Sequence, residues 1–218
     1  MSEIEGLHRI ELEMVQAYVL ETAEGRVLVD TGFPHTTEAL TAALERIGAP
    51  DLLILTHGHV DHVGGVPALG DVRIAAHTDE ADLLARGETS RGLQPLEHCP
   101  PDLREMIKHK PTVDPIQVDV RLSDGDTVPG FPSLKVLHTP GHSAGHISLL
   151  WGSVLIVGDA AANFGQPVPP PVAEDIPLTL ATAAKLGEQE FDAAVFGHGA
   201  PIASGASAAF RQAFAAAA

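Results

Sequence analysis

The spacing of apolar and polar positions predicts short strands with a few helices between them. Leu7–Leu12 alternates, residues 15–20 are apolar and rich in β-formers, and 26–30 follow a turn at Glu24-Gly25. Helical spacing comes next: Leu40, Ala43, Leu44 and Ile47 share a face, Thr36 or Thr37 caps its start, and Gly48 ends it. Residues 51–55 and 72–76 read as further strands, and Thr78 as the cap of a short helix through Leu84. Residues 87–115 have no regular pattern; they hold Pro95, Pro100, Pro101 and Pro111 around one helix-like piece at 103–109. Such an insert in a compact domain predicts a functional loop or lid. Strand signals resume at 116–122, 134–137, 146–151 and 154–157, and a proline-rich loop follows at 163–177. A helix at 178–188, a buried strand at 193–196 and an alanine-rich helix at 204–217 close the chain. With no linker in sight, residues 1–218 are expected to form a single domain of two sheets with helices outside.

One stretch breaks this pattern chemically. Thr56-His57-Gly58-His59-Val60-Asp61-His62 places three histidines and an aspartate directly after an apolar strand. In an extended segment, side chains two apart share a side, so His57 and His59 can grip one ion together. Asp61 and His62 come just before Gly64-Gly65, which predict a tight turn, and can face a second ion. Imidazole and carboxylate together suit zinc, iron, manganese or nickel. A structural zinc site would more naturally use cysteines, and the chain has only Cys99, so the stretch reads as catalytic. His142, Asp159 and His198 repeat the same placement, each just beyond a predicted strand.

Composition narrows the partners. Thirteen basic against 29 acidic residues give a formal charge of −16, which argues against nucleic acid and against an anionic membrane surface. The expected partner is a small-molecule substrate, with a homodimer left open. A single cysteine fits a reducing compartment. No apolar run approaches the ~20 residues of a spanning helix, and the first residues are acidic rather than signal-like. Cytoplasmic location is the expectation.

Here the chain resembles a known family. Residues 56–62 look like the HxHxDH signature of the metallo-β-lactamase fold superfamily. Asp30-Thr31-Gly32, Thr139-Pro140-Gly141-His142, Gly158-Asp159 and Gly197-His198-Gly199 are similar to its other motifs, in order. The resemblance implies a four-layer αββα sandwich of two mixed β-sheets with helices outside. It implies His57, His59 and His142 on one divalent ion and Asp61, His62 and His198 on a second, with Asp159 bridging them. The two ions, expected to be zinc with iron or manganese as alternatives, would leave the site at about +1 with a bridging hydroxide. That hydroxide would attack a carbonyl, with Asp61 as the catalytic residue that orients it and moves its proton. Asp30 would fix a histidine tautomer from behind, and His146 reads equally as such a helper or as packed polar filling.

Within the superfamily, this chain lacks the extra glutathione domain of glyoxalase II. It also lacks a tyrosine between Asp159 and His198, as lactonases carry, having only Tyr18 far upstream. The expected activity is hydrolysis of a small ester, thioester or lactone. The alternatives are a mononuclear iron persulfide dioxygenase and, further off, a β-lactamase. Gly141-His142-Ser143-Ala144-Gly145 also fits the GxSxG elbow of serine hydrolases, but a strand follows where that elbow needs a helix. His35 and Phe164 are candidate pocket residues. Cys99 reads as an inert loop thiol, and His8, His77, His109 and His138 as structural.

Overall fold

The computed structural model describes residues 4–94, 101–108 and 112–217. β1 (Leu7–Leu12) and β2 (Val15–Thr22) form an antiparallel hairpin in which Leu12 pairs with Val15, so Glu13 and Met14 alone turn the chain. Glu13 adopts a left-handed φ of 63° to do so. β3 (Gly25–Val29) returns antiparallel to β2 and leads to α1 (Thr37–Ile47). β4 (Leu52–Ile54), the one-turn α2 (Val60–Val63), β5 (Ile74–His77), α3 (Thr78–Leu84), α4 (Pro101–Lys108) and β6 (Val120–Leu122) follow. β3, β4, β5 and β6 run parallel, which completes a mixed sheet in the order β1-β2-β3-β4-β5-β6.

The second half builds a second mixed sheet. β7 (Thr127–Val128), β8 (Phe131–His138), β9 (Ile147–Trp151) and β10 (Val154–Ile156) pair antiparallel in succession. β11 (Ala162–Asn163) and β12 (Pro167–Val168) make a small ribbon. After α5 (Ile176–Leu186), β13 (Ala193–Val195) joins β10 in parallel, and α6 (Ala206–Ala213) follows.

Alternation along the strands explains the layers. Val27 and Val29, Leu52 and Ile54 bury against Val154, Ile156, Ala193 and Val195 of the opposite sheet. The residues between them point the other way: Leu28, Leu53 and Leu55 pack on Leu40, Ala43 and Leu44 of α1. Leu155, Ala194 and Phe196 likewise pack on Ala183 of α5 and Phe210 of α6. Strands buried on both faces read as continuous apolar runs, which is why 51–55 and 193–196 show no polar alternation. The result is the αββα sandwich expected from the sequence.

Several boundaries differ from expectation for local reasons. α3 is capped by His77, whose Nδ1 accepts from the Asp79 N–H, rather than by Thr78. α5 starts at Ile176 because Asp175 caps it and Pro177 fits its first turn. Only Val120–Leu122 of the expected 116–122 strand pairs, since the Ile116 N–H is taken by the Leu84 carbonyl. The ribbon of β11 and β12 lies inside the proline-rich stretch expected to be loop. Gly64 and Gly65 form the expected turn after α2, but at negative φ (−64° and −85°). A side chain at Gly64 would run into Pro34, within 2.3 Å, so close packing is what demands glycine there. His98, Cys99, Pro95, Pro100, His109 and Pro111 lie outside the described residues.

Candidate metal centre

The proposed ligand residues and their support Asp30 all follow strand C-termini. Asp30 follows β3, the 57–62 loop follows β4, His142 follows β8, Asp159 follows β10 and His198 follows β13. These strand ends bring the seven expected ligand residues together. His57 Nε2 and His59 Nδ1 are 2.9 Å apart, and the His57 ring lies 4.1 Å from that of His62 and 4.8 Å from that of His142, centre to centre. Asp159 stands at the centre: its carboxylate lies 3.5 Å from His62 Nε2, 3.4 Å from His142 Nε2 and 3.1 Å from His198 Nε2. Asp61 completes the far side, 3.3 Å from His198 Nε2 and 3.7 Å from His62 Nε2. Within this cluster, three donor groups are close enough to hold an ion: His57/His59/His142, His57/His62/Asp159 and Asp61/His62/His198; among the described residues a fourth, His77/Asp79/His138, lies apart from it.

The tautomers follow from the backs of the rings. Asp30 Oδ2 accepts from His62 Nδ1 at 2.8 Å, the Val172 carbonyl from His142 Nδ1 at 2.9 Å, and the Met14 carbonyl from His198 Nδ1 at 2.7 Å. Since an acceptor holds each Nδ1–H, each Nε2 faces inward. His62 Nε2, His142 Nε2, His59 Nε2 and Asp159 Oδ1 are buried and form no hydrogen bond. Buried polar atoms are rarely left so. A set of unpartnered imidazole nitrogens around a carboxylate fits divalent ions, and it fits them without any cysteine.

His146 is not a ligand. Its Nε2 accepts from the Asp159 N–H at 2.8 Å, while its Nδ1 meets the Thr139 hydroxyl at 2.7 Å. It therefore holds the backbone that carries Asp159. Sequence reading missed Tyr18, whose hydroxyl donates to the Phe196 carbonyl at 2.7 Å and so steadies the approach to His198; within a strand it reads only as apolar filling. It also missed Glu80, Arg91 and Glu174, which brace the His142 loop.

Charge is sharply divided across the site. Burial, helped by neighbouring imidazoles, pushes His59 down to about 4 and His142 down to about 3 from an ordinary 6.5. Burial opposes a charge on His198 too, but Asp159 and Asp61 outweigh it and push that ring up to about 10. His62 is raised in the same way, by Asp159, Asp61 and Asp30 against burial. His59 and His142 set an acid limit. An unfolded chain takes protons on both as pH falls below 6.5, while the folded chain takes them only near 4 and 3, so the fold loses stability across that window. The melting temperature of the metal-free protein is expected to fall steadily over it, and a flat profile would contradict the burial of neutral rings.

A cavity of about 480 Å³ opens over the cluster. Met14, Phe33, Leu93, Ile107 and Phe164 make its wall largely apolar, while Asp61, Asp159, His59, His142 and His198 form its polar floor. Phe164 is 72% exposed at its mouth. His35 is outside the lining; it stacks on Phe33 and meets Glu13 Oε2 at 3.0 Å. His77 and His138 stack at 4.1 Å, with His138 Nε2 2.9 Å from the Ala144 carbonyl, and His8 is half-buried, 3.5 Å from Glu21.

Comparison with known proteins agrees with this geometry. A profile described as the metallo-β-lactamase superfamily matches residues 10–198. The "Probable metallo-hydrolase YflN" of Bacillus subtilis (strain 168) is 27% identical over 180 residues, covering 74% of this chain and 66% of that protein. An "N-acyl homoserine lactonase" of Bacillus sp is 30% identical over 222 residues, covering 84% of this chain and 80% of its own. Among solved structures, the subclass B3 metallo-β-lactamase BJP-1 of Bradyrhizobium japonicum superposes with a TM-score of 0.69 at 22% identity. That match covers 99% of this chain and 90% of the other. Among the described residues, no helix is long and apolar enough to cross a membrane.

Proposed function

The chain belongs to the metallo-β-lactamase superfamily and is a hydrolase of that family, and from that premise we propose that it works with a pair of divalent ions, zinc first, on a small ester, thioester or lactone. The observation that carries the proposal is Asp159, which lies within 3.5 Å of His62 Nε2, His142 Nε2 and His198 Nε2 and so belongs to both halves of the donor set. His57, His59 and His142 would hold one ion, and Asp61, His62 and His198 the other. Ions held there would supply Lewis acidity to lower the pKa of water and to polarise a substrate carbonyl.

The chain's own groups do the rest. Asp61 lines the floor of the cavity beside His198; it orients the attacking water and receives its proton. Asp30, the Val172 carbonyl and the Met14 carbonyl hold three rings in the tautomer a ligand needs. The apolar wall takes the substrate's acyl part and keeps bulk water away from the floor. The Bacillus lactonase, at 30% identity, supports a lactone as one substrate of this kind.

Metal removal tests the reading directly. Dialysis against a chelator is expected to abolish hydrolysis of a thioester and lactone panel and to lower the melting temperature, with zinc restoring both. Elemental analysis of the loaded protein is expected to give two ions per chain. One iron per chain with oxygen uptake would instead establish the persulfide dioxygenase alternative.

A further inference from the structure

Glu80 is fully buried on α3. Carboxylates are almost never so without partners, and its partners are specific. Oε1 accepts from the Ser143 hydroxyl at 3.0 Å, from the Gly145 N–H at 2.9 Å and from Arg91 Nη1 at 3.1 Å. Oε2 has no hydrogen-bond partner and occupies the place a side chain on Gly58 would need, 2.7 Å from a Cβ built there. The carboxylate therefore wedges between the loop of His57 and His59 and the loop of His142.

Glu174 grips the second loop from its other side. Its Oε2 accepts from the Ala144 N–H and its Oε1 from the Arg91 N–H, both at 2.9 Å. Its own N–H donates to the His142 carbonyl at 3.1 Å. Arg91 lies between the two acids, 3.1 Å from Glu80 and 3.8 Å from Glu174. It also donates to the Asp79 carbonyl. Its chain neighbours Ser90 and Leu93 line the cavity, and Gln94 is stitched to Ala173 by two backbone hydrogen bonds of 2.8 Å.

We propose that Glu80, Arg91 and Glu174 form a latch through which Arg91, whose chain neighbours Ser90 and Leu93 line the cavity, positions His142. This rests on the hydrolase reading above. Ser143, Ala144 and Gly145 are each tied to one of the two carboxylates, and Arg91 is the cation that draws both inward. Without it, the buried Glu80 and the partly buried Glu174 face each other across that loop and repel. One of them is then buried without its charge partner, a strongly unfavourable state that moving the loop relieves. His142 moves with the loop. Arg91 is thus a positioning residue, and misplacement of a ligand by about 1 Å is enough to cost up to about a hundredfold in rate.

The test compares Arg91→Ala, Arg91→Lys and wild type in the zinc-loaded protein, on p-nitrophenyl acetate and p-nitrophenyl decanoate. The acetyl ester is the arm that matters, because its acyl group is too short to use the wall. Arg91→Ala is expected to lower kcat on it roughly tenfold or more with KM little changed. Arg91→Lys, which restores the charge, is expected to recover most of that loss. A change confined to KM for the decanoyl ester would mean that Arg91 acts only by shaping the wall formed by its neighbours, and would overturn the latch. Amide hydrogen exchange gives a readout that needs no activity: exchange at Ala144 and Gly145 is expected to accelerate in Arg91→Ala, and unchanged protection there would also overturn the latch. Wild type inactive on every ester and lactone would sink the hydrolase reading alone, leaving the exchange result to decide the latch.

Discussion

Asp61→Asn is expected to reduce kcat by roughly a hundredfold to ten-thousandfold, the range of a lost general acid–base group. The substitution keeps the size and most of the hydrogen-bonding capacity of the side chain but removes its charge. That charge is secure in the wild type: burial opposes it, yet His62 and His198 hold the carboxyl well below the usual range. Asp61 sits in the first turn of α2, 3.3 Å from His198 Nε2, and faces the cavity. An asparagine there can still point at a water but cannot take its proton. Because its side chain is 18% exposed rather than sealed in the core, the melting temperature is expected to change little. Steady-state kinetics on the best lactone or thioester, with ion content measured in parallel, check the result. Wild-type kcat at full ion content would remove Asp61 from the chemistry.

The second large effect falls on stability. Asp30 is buried and accepts three hydrogen bonds of 2.8 Å, from the Thr56 N–H, the Thr56 hydroxyl and His62 Nδ1. Asp30→Ala leaves the Thr56 N–H and His62 Nδ1 buried without a partner, and leaves the Thr56 hydroxyl only His57 Nδ1, 3.0 Å away. Removing one side of a buried, hydrogen-bonded charge pair costs roughly 3–5 kcal/mol, and freeing a ligand ring weakens ion affinity by about 10–100-fold. Asp30→Asn is expected to cost less. Its carbonyl oxygen keeps one acceptor, and asparagine tolerates the left-handed φ of 61° found at this position. Urea unfolding and zinc titration of the two variants measure both terms. Equal stability in Asp30→Ala and wild type would mean that Thr56 and His62 find other partners.

The donor set was legible in the sequence because its cost was. Polar residues directly beyond apolar strands, such as Asp159 after 154–157 and His198 after 193–196, have no packing reason to be there. Two sheets with helices outside followed from the order of strands and helices, and the four-layer arrangement from the family resemblance. The supports were not legible. The turn at Glu13-Met14 carries no glycine or asparagine, yet it reverses the chain in two residues and sends the Met14 carbonyl to His198. Glu80, Arg91 and Glu174 are single charged residues, separated by 11 and 83 positions, and nothing local marks them as partners. Long-range hydrogen bonds leave no periodicity. His35 shows the converse error: it is adjacent to the right loop in sequence, but its ring turns out to Glu13 rather than over the site.

The hydrogen bond from His198 to Met14 joins residues 184 apart. His57 to His62, by contrast, are set largely by one loop and by Asp30 behind it. Peripheral hairpins open more readily than core strands, so unzipping β1 from β2 would let His198 swing free while the 57–62 loop stayed in place. The two proposed cation positions should therefore differ in lability: if the chain holds a pair, demetallation is expected to proceed one ion at a time, with a half-loaded species that keeps its fold.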